Sequence, residues 1–245
     1  MARVDRFFVE DGIPGPGPLR LKGEAAGHMG RVLRARAGQE VVLFDGRGGE
    51  YPAVITAVTR RGVELDVAPR ADAERESPVA ITLLQGLCRG ERMDLVVRKA
   101  TELGVARIRP VLAGRSVVRL DGRRTDSRLA HWRAIVVSAC EQCGRNRLPE
   151  LLPPLPLDDA LAARDEDLGV LLDPTAPCGP EGLPAPGPRG RALLVGPEGG
   201  LAEDERARAT DAGFRGIRLG PRVLRTETAA IAGVVLLQSR FGDLG

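Results

Sequence analysis

The order of apolar and polar positions divides the chain into a β-rich first part and a second part in which strands and helices alternate. Near the start, Glu40–Asp45 reads as a strand, Asp45–Gly49 as a turn and Tyr51–Thr59 as a second strand. Arg61-Gly62 then turns the chain into Val63–Val67, where apolar residues fall at every second position. Short strands with tight turns predict a small barrel. Ahead of them lie a Gly/Pro loop, Gly12–Pro18, and a short helix, Gly23–Leu33. The polar stretch Ala68–Pro78 has no apolar period and reads as a linker.

Beyond the linker the period changes. Val79–Leu87, Val105–Leu112, Leu168–Leu172, Ala192–Val195 and Gly216–Leu219 are predicted strands. Between and after them fall helices at Glu91–Leu103, about Arg124–Cys143, Leu201–Asp211 and Thr226–Arg240. The first helix places Met93, Val96, Val97, Ala100 and Leu103 on one side, and Gly104 supplies a left-handed end; Gly144 does the same for the long helix. Repeated strand–helix units imply an α/β fold with a mainly parallel sheet covered on both faces. The resulting division is residues 1–72 and 73–245. Ala229–Leu237 leaves the last helix without a polar face, so it needs cover all round, and a partner subunit is the favoured cover. The Pro/Gly-rich loop Cys178–Arg189 fits no pattern with a nameable role.

Composition adds limits. At 43% hydrophobic and 28% charged residues, the chain has the makings of a globular core. No apolar stretch is long enough to span a bilayer, and the opening MARVDRFFVEDG has no signal-peptide core. Four scattered cysteines (Cys88, Cys140, Cys143, Cys178) do not make a disulfide scaffold, so the expected location is cytoplasmic. Charge is uneven: Arg89–Arg147 holds 14 Lys+Arg against 6 Asp+Glu, within a chain whose net charge is +3. A basic zone of that size suits a phosphate backbone, through counterion release.

Several chemistries are disfavoured. There is no Walker loop and no G-x-G-x-x-G after a strand, which argues against a Rossmann-type methyltransferase or dehydrogenase. Cys140 and Cys143 form a lone C-x-x-C pair, and His28 and His131 stand apart, so neither a zinc site nor a Ser-His-Asp set is expected. Two loops stand out instead. Gly196-Pro197-Glu198-Gly199-Gly200 follows one predicted strand, where glycines let backbone approach a ligand. Leu219–Ala229 (LGPRVLRTETA) follows another and runs into the last helix. Thr226 is suited to cap that helix, whereas Arg225 at a helix start opposes the dipole and suggests another purpose.

GPEGG followed by LGPRVLRTETA resembles the signature of the RsmE family, the small-subunit ribosomal RNA uridine-N3 methyltransferases of the SPOUT superfamily. The ordered matches also take in Arg6-Phe7-Phe8, His28 with Val32-Leu33-Arg34, Lys99–Val105 and Glu141–Arg145, nearly the whole chain. The resemblance implies a PUA-like barrel at 1–72 and a trefoil-knotted domain at 73–245, working as a homodimer on 16S rRNA, within the small ribosomal subunit. It implies S-adenosylmethionine as methyl donor, S-adenosylhomocysteine as product, and no metal. On that basis Leu172, Gly196, Pro197, Glu198, Gly199, Gly200, Leu219, Gly220, Leu224, Thr226 and Ala229 are the expected cofactor residues. Arg225 is expected at the reacting uridine, in the decoding region. The base is Glu141 or Glu198, with the choice open because Glu198 also reads as a partner for loop amides. Arg6, Arg34, Arg123, Arg124 and Arg145 are the expected RNA contacts. Two rivals stand beside this: a SPOUT ribose 2′-O-methyltransferase, although Met93–Val105 carries no Asn-x-Gly, and a non-catalytic RNA-binding assembly factor.

Overall fold

A computed structural model describes residues 4–27, 29, 35–116, 122–185 and 187–245. The chain forms two units: Met1–Glu76 with Val137–Leu148, and Ser77–Val136 with Pro149–Gly245.

In the first unit, β1 (Asp5–Phe8), β2 (Gly17–Leu21), β3 (Glu40–Phe44), β4 (Tyr51–Thr59) and β5 (Gly62–Val67) make one sheet in the order β1-β3-β4-β5-β2. β1 pairs parallel with β3 and the other pairings are antiparallel. Alternation sends Val41, Leu43, Ile55, Leu65 and Val67 into a single core with Phe7 and Leu21. A short helix, α1 (Gly23–Gly27), follows β2; the rest of the expected helix, with His28 and Val32-Leu33-Arg34, lies outside the described residues apart from the buried Met29. β1 and β2 are invisible to periodicity, being four and five residues long, and β2 takes in the end of the expected Gly/Pro loop.

The stretch read as a linker is bonded into this unit. Glu50 and Ala71 exchange backbone hydrogen bonds at 3.0 and 2.7 Å. Glu74 and Glu76 take the side chains of Arg147 and Arg145, and Asn146 donates to the Ala73 carbonyl at 2.6 Å and to Glu50 at 3.3 Å. Three consecutive polar residues, Arg145 to Arg147, thus meet acids of Glu50–Glu76, which accounts for residues 137–148 joining this unit.

The second unit is built on parallel strands: β6 (Ile81–Gly86), β7 (Arg107–Leu112), β8 (Glu150–Leu151), β9 (Leu155–Pro156), β10 (Leu168–Leu172), β11 (Arg191–Val195) and β12 (Phe214–Ile217). Their order is β12-β10-β11-β6-β7-β8, with β9 also on β7. Every residue of β6 and β11 is buried, as expected for central strands of a covered parallel sheet. The helices are α2 (Gly90–Glu102), α3 (Gly122–Cys143, which the division between units crosses), α4 (Leu157–Ala162), α5 (Glu203–Asp211) and α6 (Thr226–Phe241). Gly104 and Gly144 take φ of +79° and +92°, the left-handed ends expected of them. The last strand lies at Phe214–Ile217, two residues before its expected place, because Phe214 and Ile217 are its buried positions. β8, β9 and α4 occupy a stretch too short-ranged for any period to show.

α6 packs on α2, β6 and β11 through Ala230, Gly233, Val234 and Leu237. Its other side keeps Val235 39% exposed and Ile231, Ala232 and Leu236 half-buried, so its cover within the chain is one-sided. Among the described residues no helix is long and apolar enough to cross a membrane.

Candidate active site

Three neighbouring strands end at one level. Leu172 is the register partner of both Val195 and Ile217, so the carboxyl ends of β10, β11 and β12 are flush. The loops leaving them enclose a cavity of about 500 Å³, within the range of small-molecule sites. Its position, at the carboxyl edge where chain order reverses across the sheet, is where open α/β sheets hold ligands.

The loop after β11 is closed by the Gly200 N–H on the Pro197 carbonyl at 2.9 Å, and Gly200 has the left-handed φ of +67° that such a closure asks of it. Below it, Gly86 at the end of β6 lies so near that a Cβ there would stand 2.3 Å from the Pro197 nitrogen. The loop after β12 is tied to the same point. Thr226 Oγ1 donates to the Gly196 carbonyl at 2.6 Å and accepts from Gln85 Nε2 at 2.9 Å. Thr226 therefore does not cap α6, as the sequence suggests; the N-cap is Arg225, without a side-chain cap bond.

Of the expected cofactor residues, Leu172, Gly196, Pro197, Glu198, Gly199, Gly200, Leu219, Leu224, Thr226 and Ala229 all line this cavity, with Arg225. Gly220 does not; its φ of +68° turns the backbone between the lining residues Leu219 and Arg222. Glu198 accepts from the Arg89 N–H at 2.9 Å and from Arg92 at 3.2 Å. Burial pushes its carboxyl up, but these bonds outweigh burial and hold it below the ordinary carboxylate range. That suits an anchor of the loop better than a proton acceptor. Glu141 is placed in the first unit, accepting the Phe8 N–H at 3.1 Å.

The expected RNA arginines fare differently. Arg34 and the side chain of Arg123 lie outside the described residues. Arg124 is exposed on α3. Arg145, at 4% exposure, and Arg6 are internal: Arg145 pairs with Glu76, and Arg6 pairs with Glu50 at 2.6 Å, bonds Asn146 and lies 5.2 Å above the Phe44 ring. As placed, neither meets a phosphate without breaking an ion pair, because each guanidinium already faces a carboxylate.

Sequence reasoning overlooked other lining groups. Arg222 and Glu227 sit inside the second motif, and among the described residues Glu227 Oε2 is buried without a partner. Arg115, Asp173 and Arg206 reach the cavity from separate loops, with no local signal to mark them. Of the C-x-x-C pair, Cys140 is buried, which pushes its thiol up to about 12, and its sulfur donates to the Arg147 carbonyl at 3.7 Å. Among the described residues no cluster of three or more His, Cys, Asp or Glu is placed to hold a metal.

Fold and site together define an α/β protein with a glycine-walled ligand cleft at the edge of a parallel sheet. The comparisons make this particular. The RNA methyltransferase domain family matches residues 75–238, and the RNA methyltransferase PUA domain matches residues 21–68. The ribosomal RNA small subunit methyltransferase E of Mycobacterium tuberculosis is 35% identical, over 97% of this chain and 94% of its own. A Legionella pneumophila putative methyltransferase, solved in complex with its bound cofactor SAM, is 40% identical with a TM-score of 0.95, covering 99% of this chain and 100% of its own. A ribosomal RNA small subunit methyltransferase E from Neisseria gonorrhoeae, bound to S-adenosyl methionine, is 34% identical with a TM-score of 0.91, at 99% and 100% coverage. The chain belongs to the ribosomal RNA small subunit methyltransferase E family.

Proposed function

We propose that this protein transfers the methyl group of S-adenosylmethionine to N3 of a uridine in the decoding region of 16S rRNA. The observation that carries the reading is the flush ending of β10, β11 and β12, which makes one cleft of three loops and leaves Arg225 at its edge with no side-chain partner among the described residues.

The residues fit the cofactor. The Gly196–Gly200 loop and Leu219–Leu224 offer backbone walls, Leu172 and Ala229 apolar ones, and the volume is of the right order. When bound, S-adenosylmethionine supplies an electrophilic methyl carbon on a positively charged sulfur. The chain's part is placement and charge. Uridine N3 attacks once its proton has passed to solvent, the negative charge it leaves spreads over the two flanking carbonyl oxygens, and N3 takes the methyl group with release of S-adenosylhomocysteine. Arg225 stabilises that charge, and the cleft aligns the reacting atoms in line. The two carboxylates weighed as the base, Glu141 and Glu198, each already accept a backbone N–H, so each is an anchor first.

In the same reading, residues 1–72 form the PUA-like RNA-binding domain and 73–245 the knotted transferase domain. The protein acts in the cytoplasm, on rRNA within the small subunit. The half-exposed apolar side of α6 supports a homodimer built on that face. The test is calorimetry with S-adenosylmethionine followed by nucleoside analysis of 16S rRNA after incubation with protein and cofactor. Heat of binding and N3-methyluridine are expected. A ribose-methylated nucleoside, or no heat and no product, overturns the proposal.

A further inference from the structure

Six arginines line the cleft, and they divide between its two lips. Arg92, Arg115 and Arg206 are all tied to the loop after β11. They donate to Glu198 at 3.2 Å, to the Gly199 carbonyl at 3.2 Å and to the Leu201 carbonyl at 3.0 Å. Arg218, Arg222 and Arg225 belong to the loop after β12. All three are exposed, and among the described residues none has a side-chain hydrogen bond or ion pair. No acid occurs from Arg218 to Thr226, and Glu227, the next residue, has its Oε2 without a hydrogen-bond partner among the described residues.

The same lip presents Val223 at 82% exposure; among the described residues the other exposed large apolar side chains reach at most 48%. A bare valine flanked by unpaired guanidinium groups alternates apolar and cationic surface over a few residues. A single-stranded nucleic acid alternates base faces and phosphates on a similar scale. An acidic protein surface would answer the arginines but would not explain the valine.

We propose that the Arg218–Arg225 lip grips the RNA strand beside the nucleotide entering the cleft, with Arg218 and Arg222 on backbone phosphates and Val223 against the face of a neighbouring base. This rests on the reading of the cleft as a methyltransferase site and names the contact that orients its substrate. Arg225, next to the cavity floor at Thr226, remains for the reacting base.

The test uses the full-length chain, unmethylated 16S rRNA both free and in small subunits, and the variant Arg218→Gln/Arg222→Gln. RNA affinity is measured across a salt series, beside methylation kinetics, S-adenosylmethionine calorimetry and size in solution. The double variant should flatten the plot of log affinity against log salt by about 1.4, at roughly 0.7 for each lost single-strand phosphate contact. KM for RNA should rise while kcat and the heat with S-adenosylmethionine hold. Val223→Gly should raise KM without changing the slope. Should the double variant fold poorly, each single arginine variant should still flatten the slope by about 0.7, and an unchanged slope in both overturns the inference. An unchanged slope overturns the inference. So does loss of cofactor heat, which would make the lip part of the cofactor site, or loss of a dimer the wild type forms, which would make it a subunit contact. A wild type that binds no cofactor or leaves rRNA unmethylated instead defeats the underlying reading of the cleft.

Discussion

Arginine has two opposite uses in this chain, and comparing them shows how to tell them apart. In the first unit, Arg6, Arg75, Arg145 and Arg147 each face a glutamate among Glu50, Glu74 and Glu76. On the cleft lip of the second unit, Arg218, Arg222 and Arg225 have no ion pair among the described residues. Both groups look alike in sequence, as basic residues near polar turns. What separates them is the carboxylate supply of a segment distant in the chain. A paired guanidinium holds backbone together, and where it is buried, as at Arg6 and Arg145, exposing it would strand its partner. An unpaired one at a cleft edge is free for substrate.

Removing Arg225 tests the free use most severely. Arg225→Ala should lower kcat for methylation by about 10²–10³, the usual loss of one donor to a developing oxyanion, with cofactor heat and unfolding midpoint retained. Normal turnover would place this arginine with the inert surface ones. Removing Glu50 tests the paired use. It accepts from Arg6 at 2.6 Å and from Arg75 at 3.1 Å. Burial pushes its carboxyl up, but the two arginines outweigh burial and hold it below its ordinary value of 4.5. A carboxyl lowered by folding adds stability in full above that ordinary value, and the gain is lost as pH falls through the folded pKa. Glu50→Gln should therefore destabilise the protein by about 2 kcal/mol at neutral pH. Denaturant titrations from neutral to acid pH should show the gap between wild type and variant closing below pH 4.5. A gap constant across that range would mean the charge contributes nothing.

The same contrast explains what was legible. The strands and helices of the second unit could be read because burial imposes a period on them: β11 is buried at every position, and α2 buries Met93, Val96, Val97 and Ala100 on one side. The cleft could be read because glycine turns after strands are local features, and because the motifs resemble a known family. Arg6 and Arg145 could not be sorted from sequence, as their partners Glu50 and Glu76 are 44 and 69 residues away. For the same reason the polar stretch 68–78 looks like a tether, when its acids and carbonyls are the first unit's attachment for residues 145–147. Lining residues drawn from separate loops, such as Arg115 and Arg206, depend on strand order, which no local pattern states.

Thr226 is the smallest and sharpest case. Sequence logic makes it a helix cap, replaceable by serine, aspartate or asparagine. In the structure its hydroxyl instead joins two loops, donating to Gly196 and accepting from the fully buried Gln85. Valine has nearly the same shape and neither bond, so Thr226→Val leaves Gln85 Nε2 with only its bond to the Gly86 carbonyl and takes the hydroxyl donor from the Gly196 carbonyl. The expected cost is about 1 kcal/mol of stability, with a several-fold weaker affinity for S-adenosylmethionine by calorimetry. Serine keeps the hydroxyl, so Thr226→Ser should restore the affinity, whereas a capping role would not make cofactor binding respond at all. Equal cofactor affinity in wild type, valine and serine variants would mean that the two loops hold their places without this bridge. The cleft would then depend on the flush strand ends alone.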